Sequence, residues 1–446
     1  MKNNFFPNIE KSCKFIQVFS QNRKKLDNKC KFMYSLSVEE IIVNRENYIN
    51  HLEKWREKKV IKVITGIRRA GKSSLFTMFI EHLKKNGATE NQIVYLNLED
   101  MANSDLLDSK HLYDYINSRL VQNKYTYIFI DEVQNCAGFE KAINSLLLKP
   151  LVDIYITGSN AYFLSSELAT LLSGRYITIE VLPLSFKEYL KFKNFDSSSL
   201  SPDAKKSLFS TYINCGQFPY MAFINDDAQL VRDYLEGILN TIIIKDVAAR
   251  EKINEILLLQ KIIKCICDSI GSQVSVKKIS DTLISSGRKV SVNTVDQYVR
   301  ALCDSFIFYQ VPRFDIRGRQ VLKTLEKYYI ADTGLRNIMT NAQSNDLGHL
   351  VENIVYLELR RRYSTVMIGK SDREEIDFVV QDGQNFMYIQ VSVTVIDSDV
   401  LERELKPLRH IKDNYPKLLL TLDDFIPNSS YDGIVHKNII DWLLES

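Results

Sequence analysis

The sequence predicts an α/β protein with a mostly parallel sheet, a helical region after it and a smaller α/β domain at the end. Apolar runs of strand length alternate with amphipathic stretches from Val60 to about residue 158, which is typical of a parallel sheet with helices on both faces. Three helix-like and two strand-like segments follow between residues 251 and 330. Residues 346–446 then read as a mixture of helices and strands.

Length and composition set the limits for this fold. A chain of 446 residues exceeds one hydrophobic core, so we expect several domains. No apolar run approaches the roughly 20 residues of a membrane helix, so we expect a cytoplasmic protein without membrane contact. Residues 1–32 hold eight Lys or Arg against Glu10 and Asp27, and we interpret residues 1–37 as a disordered basic leader. The remaining chain is nearly neutral and predicts no diffuse attraction to nucleic acid.

The first motif is GIRRAGKS at residues 66–73, which lies between a predicted strand and a predicted helix. It fits G-x-x-x-x-G-K-[ST], the P-loop pattern. Its glycines let backbone N–H groups face phosphate, Lys72 supplies charge at the β- and γ-phosphates, and Ser73 offers a hydroxyl to Mg²⁺. The predicted ATP-binding residues of this segment are Gly66, Ile67, Arg68, Arg69, Ala70, Gly71, Lys72, Ser73 and Ser74.

The second motif is the acidic pair at the end of the apolar strand in YIFIDEVQN. We expect Asp131 to hold Mg²⁺ through its water shell and Glu132 to orient or deprotonate the water that attacks the γ-phosphate. Two adjacent carboxylates would repel each other without a cation. The pair therefore favours ATP hydrolysis over phosphoryl transfer to a small substrate.

A third strand, DIYITGSN, ends in Ser159 and Asn160, and Arg175 follows in LSGRY. Because strand ends converge on the ligand in such sheets, Ser159 and Asn160 are candidate γ-phosphate sensors. For Arg175 two alternatives remain: a catalytic contact to phosphate, in its own chain or across a subunit interface, and a structural ion pair.

These motifs resemble, in order, those of the AAA-type P-loop ATPases of bacteria and archaea that carry a C-terminal domain of unassigned function. The resemblance includes ITGSNAYFLSSELATLLSGRY and EVLPLSFKEYL and covers nearly all of the chain after the leader. It implies a P-loop NTPase core over residues 38–250, with ATP and Mg²⁺ as ligands, and a winged helix downstream. It implies no cellular process.

The last part, residues 346–446, resembles a restriction-endonuclease-like fold. Such folds gather a helix Glu, a strand Asp and an E-x-K around a metal ion. This chain has Glu352 and Asp377, but Gln390 and Ser392 replace the third carboxylate and the lysine. Gln is a poorer ligand for a hard cation, and a hydroxyl cannot stabilise negative charge as an ammonium can. We therefore predict a degenerate site without nuclease activity. We interpret the neighbouring arginines 360–362 as a solvated helix face, the alternative being a phosphate-binding track.

Residues 251–335 follow the order of a winged helix-turn-helix. It would contact DNA or another protein, and the candidate DNA contacts are Arg288, Lys289, Asn293 and Gln297. The leading hypothesis is an ATPase that moves these two C-terminal binding modules and can form homo-oligomers. The alternatives are an ATP-gated, metal-dependent nuclease and a nucleotide-dependent signalling or assembly switch.

Overall fold

The strands predicted between residues 60 and 158 form a parallel sheet in the computed structural model, which describes residues 45–158, 172, 174–224, 227–340, 347–371, 374–424 and 430–445. The five strands are β1 (Ile61–Thr65), β2 (Ile93–Asn97), β3 (Thr126–Asp131), β4 (Val152–Thr157) and β5 (Tyr176–Glu180). Their order is β2-β3-β4-β1-β5, and every neighbouring pair is parallel. The predicted α/β fold is confirmed.

Helices cover both faces of this sheet. Successive side chains of each strand point to opposite faces, so both faces present apolar side chains for helices to pack against. The helices are α1 (Glu46–Trp55), α2 (Lys72–Lys85), α3 (Ser109–Asn117) and α4 (Phe139–Leu147). On one face, Phe76 of α2 meets Phe129 of β3 edge to face, with ring centroids 5.1 Å apart. On the other face, α3 and α4 bury residues such as Leu112 and Ile143 against Ile128 of β3.

A helical region follows β5. It comprises α5 (Phe186–Phe192), α6 (Pro202–Cys215), α7 (Ala228–Thr241), a π-helical turn (Ile242–Ala248), α8 (Ile256–Asp268), α9 (Val276–Ser285), α10 (Val292–Asp304) and α11 (Thr333–Met339). Serine N-caps fix several starts: the hydroxyls of Ser201, Ser275 and Ser291 each accept a hydrogen bond from the first turn of α6, α9 and α10. In the part of the chain that the structure describes, every helix is too short or too polar to cross a bilayer.

A second, mixed sheet of eight strands occupies the C-terminal part. Its strands are β6 (Phe308–Asp315), β7 (Gln320–Ile330), β8 (Thr365–Ser371), β9 (Glu374–Asp382), β10 (Asn385–Val391), β11 (Lys417–Thr421), β12 (Ser430–Tyr431) and β13 (Ile434–Asn438). The order is β12-β13-β11-β10-β9-β8-β6-β7. The helices α12 (Leu347–Arg362), α13 (Ser398–His410) and α14 (Ile439–Leu444) complete this part of the chain.

The hairpin β6–β7 belongs to this second sheet. β6 pairs in parallel with β8, where Arg313 is the partner of Ile368. The sequence assigns the hairpin to a winged helix at residues 251–335 and places the next domain at 346–446. The two predicted domains therefore share one sheet, and the winged-helix assignment stays a prediction.

Candidate functional site

The loop between β1 and α2 has the backbone conformation that the glycine pattern predicts. Gly66 has φ 129° and Gly71 has φ 96°, and Arg69 between them is left-handed with φ 69°. A Cβ on Gly66 would lie 2.2 Å from the carbonyl oxygen of Val181. Position 66 therefore requires glycine both for its dihedral angles and for the close approach of a neighbouring chain segment.

Lys72 is the first residue of α2 and is only 5% exposed. Its Nζ donates hydrogen bonds to the carbonyl oxygens of Gly66 at 3.0 Å and Ile67 at 3.2 Å. Burial lowers the pKa of Lys72, and the nearby carboxylates Glu132 and Asp131 oppose that shift. The ammonium thus lies inside the loop, close to the acidic pair that the sequence singled out.

Asp131 and Glu132 lie at the carboxyl end of β3 and are both buried. The hydroxyl of Thr157, at the end of β4, donates to Asp131 and accepts the backbone N–H of Glu132 at 3.0 Å. Glu132 is left-handed, with φ 54°, and Gln134 donates to its carboxylate. Burial raises the pKa of Glu132, and the charge of Lys72 opposes the rise. The structure therefore brings together Lys72, Asp131 and Glu132.

The sequence reasoning missed Thr157. The predicted polar residues, Ser159 and Asn160, follow Thr157 by two and three positions and lie outside the described residues. The sequence did contain a signal for it: Thr157 is a hydroxyl residue at the end of a buried strand, next to the strand that ends in the acidic pair. Thr157 orients the carboxylate of Asp131 and fixes the backbone of Glu132, because one hydroxyl bonds to the side chain of Asp131 and to the backbone N–H of Glu132.

The donor set fits Mg²⁺. A hard cation of this size prefers oxygen ligands and keeps several waters. The carboxylate of Asp131 and the hydroxyl of Ser73 offer such oxygens, and Ser73 and Ser74 are exposed at the start of α2. Thr157 holds one oxygen of Asp131, and this contact restricts the rotation of the carboxylate.

Arg68 connects the loop to the helical region. Its Nε donates to Asp246 of the π-helical turn at 3.1 Å, and its Nη1 donates to Glu99 at 3.4 Å. The cleft beside these residues has a volume of about 1430 Å³ and includes Arg69 and Gln134 in its lining. This space thus adjoins two residues of the loop and Gln134, which donates to the carboxylate of Glu132.

Arg175 lies at the amino ends of the parallel strands, the opposite end of the sheet from the loop. The N–H of Ile61, the first residue of β1, donates to the carbonyl oxygen of Arg175 at 2.9 Å. The loop begins after Thr65, about 13 Å further along the strand. Arg175 is exposed there, so this arrangement does not bring it to the loop of its own chain.

The candidate site residues of the C-terminal part lie around the ammonium group of Lys327. Glu352 lies on α12, Asp377 on β9 and Gln390 on β10. Lys327 of β7 reaches Glu352 at 2.9 Å, Glu375 at 2.7 Å and Asp377 at 3.9 Å. We call Lys327, Glu352, Glu375 and Asp377 the acidic cluster. Lys327 was not predicted from the sequence, because the E-x-K pattern places its lysine on the strand after Asp377.

Gln390 belongs to the rim of this cluster. Its Oε1 accepts the backbone N–H of Asp377 at 3.4 Å, and its Nε2 donates to Glu404 at 2.9 Å. Burial, and then the charge of Glu352, raise the pKa of Asp377 well above its usual range, against the effect of Lys327. The three predicted residues are therefore neighbours, but a lysine lies among their carboxylates.

The arginine run at residues 360–362 is neither a solvated face nor a phosphate track. Arg360 donates to Glu180 of β5 at 2.5 Å, and Arg361 donates to the carbonyl oxygen of Pro183 at 2.6 Å. Arg362 donates to the carbonyl oxygen of Trp442 at 2.9 Å. The interpretation as a solvated face was wrong, because Arg360 and Arg361 join α12 to β5 and the segment after it, and Arg362 joins α12 to α14.

The candidate DNA contacts lie around the start of α10. Lys289, Asn293 and Gln297 are exposed. Arg288 is half-buried and pairs with Glu255 at 3.1 Å. Three of the four side chains are therefore accessible, while the guanidinium of Arg288 already has an acidic neighbour.

Two family models and several known proteins are similar to this chain. Residues 58–190 match the family model described as an AAA domain, and residues 206–346 match that of a domain of unknown function. An uncharacterized protein of Haemophilus influenzae is 37% identical over 405 residues, which span 91% of this chain and 99% of that protein. An uncharacterized protein of Methanocaldococcus jannaschii is 30% identical, covering 82% of each chain. A Walker-type ATPase of Pyrococcus abyssi aligns with a TM-score of 0.47 and 14% identity, over 66% of this chain and 95% of that chain.

Proposed function

Because this chain belongs to the family of AAA-type P-loop ATPases of bacteria and archaea, we propose that it binds ATP with Mg²⁺ and hydrolyses the γ-phosphate. The observation that carries the proposal is the convergence of Lys72, Asp131 and Glu132 at one edge of the parallel sheet. Thr157 holds the carboxylate of Asp131 and the backbone of Glu132 at this edge.

Lys72 is the phosphate-binding cation of this proposal. Its Nζ donates to two carbonyl oxygens of the loop, and phosphate oxygens are stronger acceptors than neutral carbonyls. Bound ATP would therefore take over these hydrogen bonds. Because the ammonium is buried, its attraction for phosphate is screened less than that of an exposed lysine.

Glu132 is the catalytic base of this proposal. Its backbone is fixed by the hydrogen bond to Thr157, and its raised pKa makes it a better proton acceptor than an exposed carboxylate. It would orient the attacking water and take its proton. Ser73 and Asp131 would hold Mg²⁺, which neutralises charge on the phosphate oxygens when bound.

The contacts of Arg68 support a coupled movement. Arg68 belongs to the loop, and its partner Asp246 belongs to the π-helical turn that follows α7. A γ-phosphate would compete with Asp246 for the guanidinium, which would free the turn from the loop. The helices after the turn would then move, and with them the binding modules for DNA or another protein.

Arg175 fits a role between subunits. Since it is exposed at the edge of the sheet opposite the loop, a second copy of the chain could place its Arg175 against the phosphates of a neighbour. We therefore propose that the protein acts as a homo-oligomer when it hydrolyses ATP. Turnover that rises with protein concentration would be the sign of this arrangement.

The test separates binding from chemistry. Lys72→Ala should abolish ATP binding and turnover, whereas Glu132→Gln should keep binding and lose turnover, because only the second change leaves the phosphate contacts intact. Binding is measured with a fluorescent ATP analogue and turnover by phosphate release. Lys85→Ala, an exposed lysine of the same helix, is the matched control. Unchanged ATP affinity in Lys72→Ala would refute the proposal.

A further inference from the structure

A buried arginine just before α1 reaches the loop between β1 and α2. Arg45 is 1% exposed and directly precedes α1. Its Nη1 donates to the carbonyl oxygen of Ala70 at 3.1 Å, inside the loop. Its Nη2 donates to the carbonyl oxygen of Leu182 at 2.9 Å. One guanidinium therefore ties the loop to the segment after β5.

Glu188 holds this guanidinium in place. Its two carboxylate oxygens accept Nε and Nη2 of Arg45 at 2.8 and 2.9 Å. Glu188 is itself fixed by the capping box at the start of α5, where it accepts the backbone N–H of Ser185 at 2.9 Å. Burial alone would raise the pKa of Glu188, but the charge and hydrogen bonds of Arg45, the charge of Arg361 and the N–H of Ser185 together outweigh it and keep this pKa below its ordinary value. The pair is therefore ionised and rigid.

The contact with Ala70 determines where the next backbone N–H points. In a trans peptide the C=O of one residue and the N–H of the next are antiparallel. Since Arg45 binds the carbonyl oxygen of Ala70, the N–H of Gly71 points away from the guanidinium, as a backbone donor of the glycine-rich loop. Phosphate binds to such N–H groups.

The same arginine also fixes the wall behind the loop. Val181, next to Leu182, is the residue whose carbonyl oxygen lies so close to Gly66 that a Cβ there would be 2.2 Å away. The N–H of Val181 donates to Thr65 at 2.8 Å, at the end of β1. Gly66 thus contacts the segment that Arg45 holds, and Ala70 contacts Arg45 itself.

We propose that Arg45 is a positioning residue of the nucleotide site, which holds the peptide between Ala70 and Gly71 in the orientation that binds phosphate. This inference rests on the proposed function, because it assumes that the loop binds ATP. Arg45 itself touches neither phosphate nor the attacking water. Its loss should therefore weaken nucleotide binding and leave the chemical step nearly intact.

The experiment uses two substitutions of the full-length protein. Arg45→Lys keeps the charge but has too few donors in the fork geometry for three acceptors, and Arg45→Gln combined with Glu188→Gln removes the two charges together. We expect the Kd for a fluorescent ATP analogue to rise about 10- to 100-fold in both, from the loss of one charge-assisted hydrogen bond and the freed peptide. KM should rise equally, with kcat at saturation within about twofold of wild type.

Arg56→Ala is the matched control, since Arg56 follows the same helix and makes only partly exposed ion pairs with Glu53 and Glu57. Thermal unfolding reports whether each variant is folded at the assay temperature. A folded variant with unchanged Kd would overturn the inference. If both Arg45 variants unfold, Glu188→Gln alone must raise Kd at least threefold, or the inference fails. Wild-type protein that does not bind the analogue would refute the proposed function instead.

Discussion

Removing the ammonium of Lys327 should destabilise the C-terminal sheet strongly. Lys327 is 3% exposed, and its two short ion pairs, to Glu352 at 2.9 Å and Glu375 at 2.7 Å, are charge-assisted hydrogen bonds. Each such bond contributes about 1.5–3 kcal/mol, and breaking a buried pair costs about 3–5 kcal/mol because a charge stays uncompensated. Glu375 is 31% exposed and water replaces part of its loss. We expect Lys327→Met to lower the free energy of unfolding by about 4 kcal/mol.

The assay follows urea unfolding by the fluorescence of Trp442, which is buried in the C-terminal part, in protein that carries Trp55→Phe. Lys406→Met is the matched control, because this lysine has an ion pair of 2.8 Å but is 63% exposed, and it should cost under about 1 kcal/mol. Adding Glu352→Gln to Lys327→Met should recover stability, since it removes one uncompensated charge. If Lys327→Met is as stable as the control, the acidic cluster does not depend on its lysine and this reasoning is refuted.

Four further outcomes are expected. With Mg²⁺ or Mn²⁺ the purified protein should not cut DNA or RNA, and cleavage that disappears in Asp377→Ala would contradict this. Replacing Arg288 and Lys289 with Ala should lower the slope of log affinity for duplex DNA against log salt by roughly 0.9 per lost phosphate contact, measured by filter binding; an unchanged slope would exclude these residues from DNA contact. Burial raises the pKa of Asp332 to about 6, so this carboxyl binds a proton more tightly in the folded protein than in the unfolded chain. The free energy of unfolding should therefore fall by up to about 3 kcal/mol as pH rises from 4 to 7. Asp332→Asn should flatten this pH dependence of unfolding. Gly66→Ala should abolish ATP-analogue binding, because a Cβ there would clash with the carbonyl oxygen of Val181. Retained binding would show that the segment around Val181 can move to accommodate it.

The convergence of Lys72, Asp131 and Glu132 was predictable because its signals are local in sequence. The glycine pattern around Lys72 and the acidic pair at Asp131 each occupy a few consecutive residues, and parallel strands bring their ends to one edge of the sheet. Thr157 could have been found by the same reasoning, as it ends the neighbouring strand. Arg45 could not, because its role follows from a contact with Ala70 that only the folded chain creates.

The C-terminal part was harder because its interactions are distant in sequence. Lys327 is on a strand that reads as the wing of a separate domain, and its partners follow 25 or more residues later. The arginine run at 360–362 looked like a solvated face because its acceptor Glu180 is 180 residues away. A local pattern shows that a side chain is charged, but not which distant group neutralises it.

The shared sheet also constrains how the chain can be made. A ribosome releases β7 about 50 residues before Asp377, a delay of roughly 3–10 s at about 5–20 residues per second. During that interval the nascent hairpin has an unpaired edge at β6 and a lysine without its counter-charges. Such an edge is a template for aggregation, so a gene shortened between codons 335 and 346 should yield insoluble protein. Because residues 251–335 and 346–446 share one sheet, neither segment can be exchanged by recombination without the other.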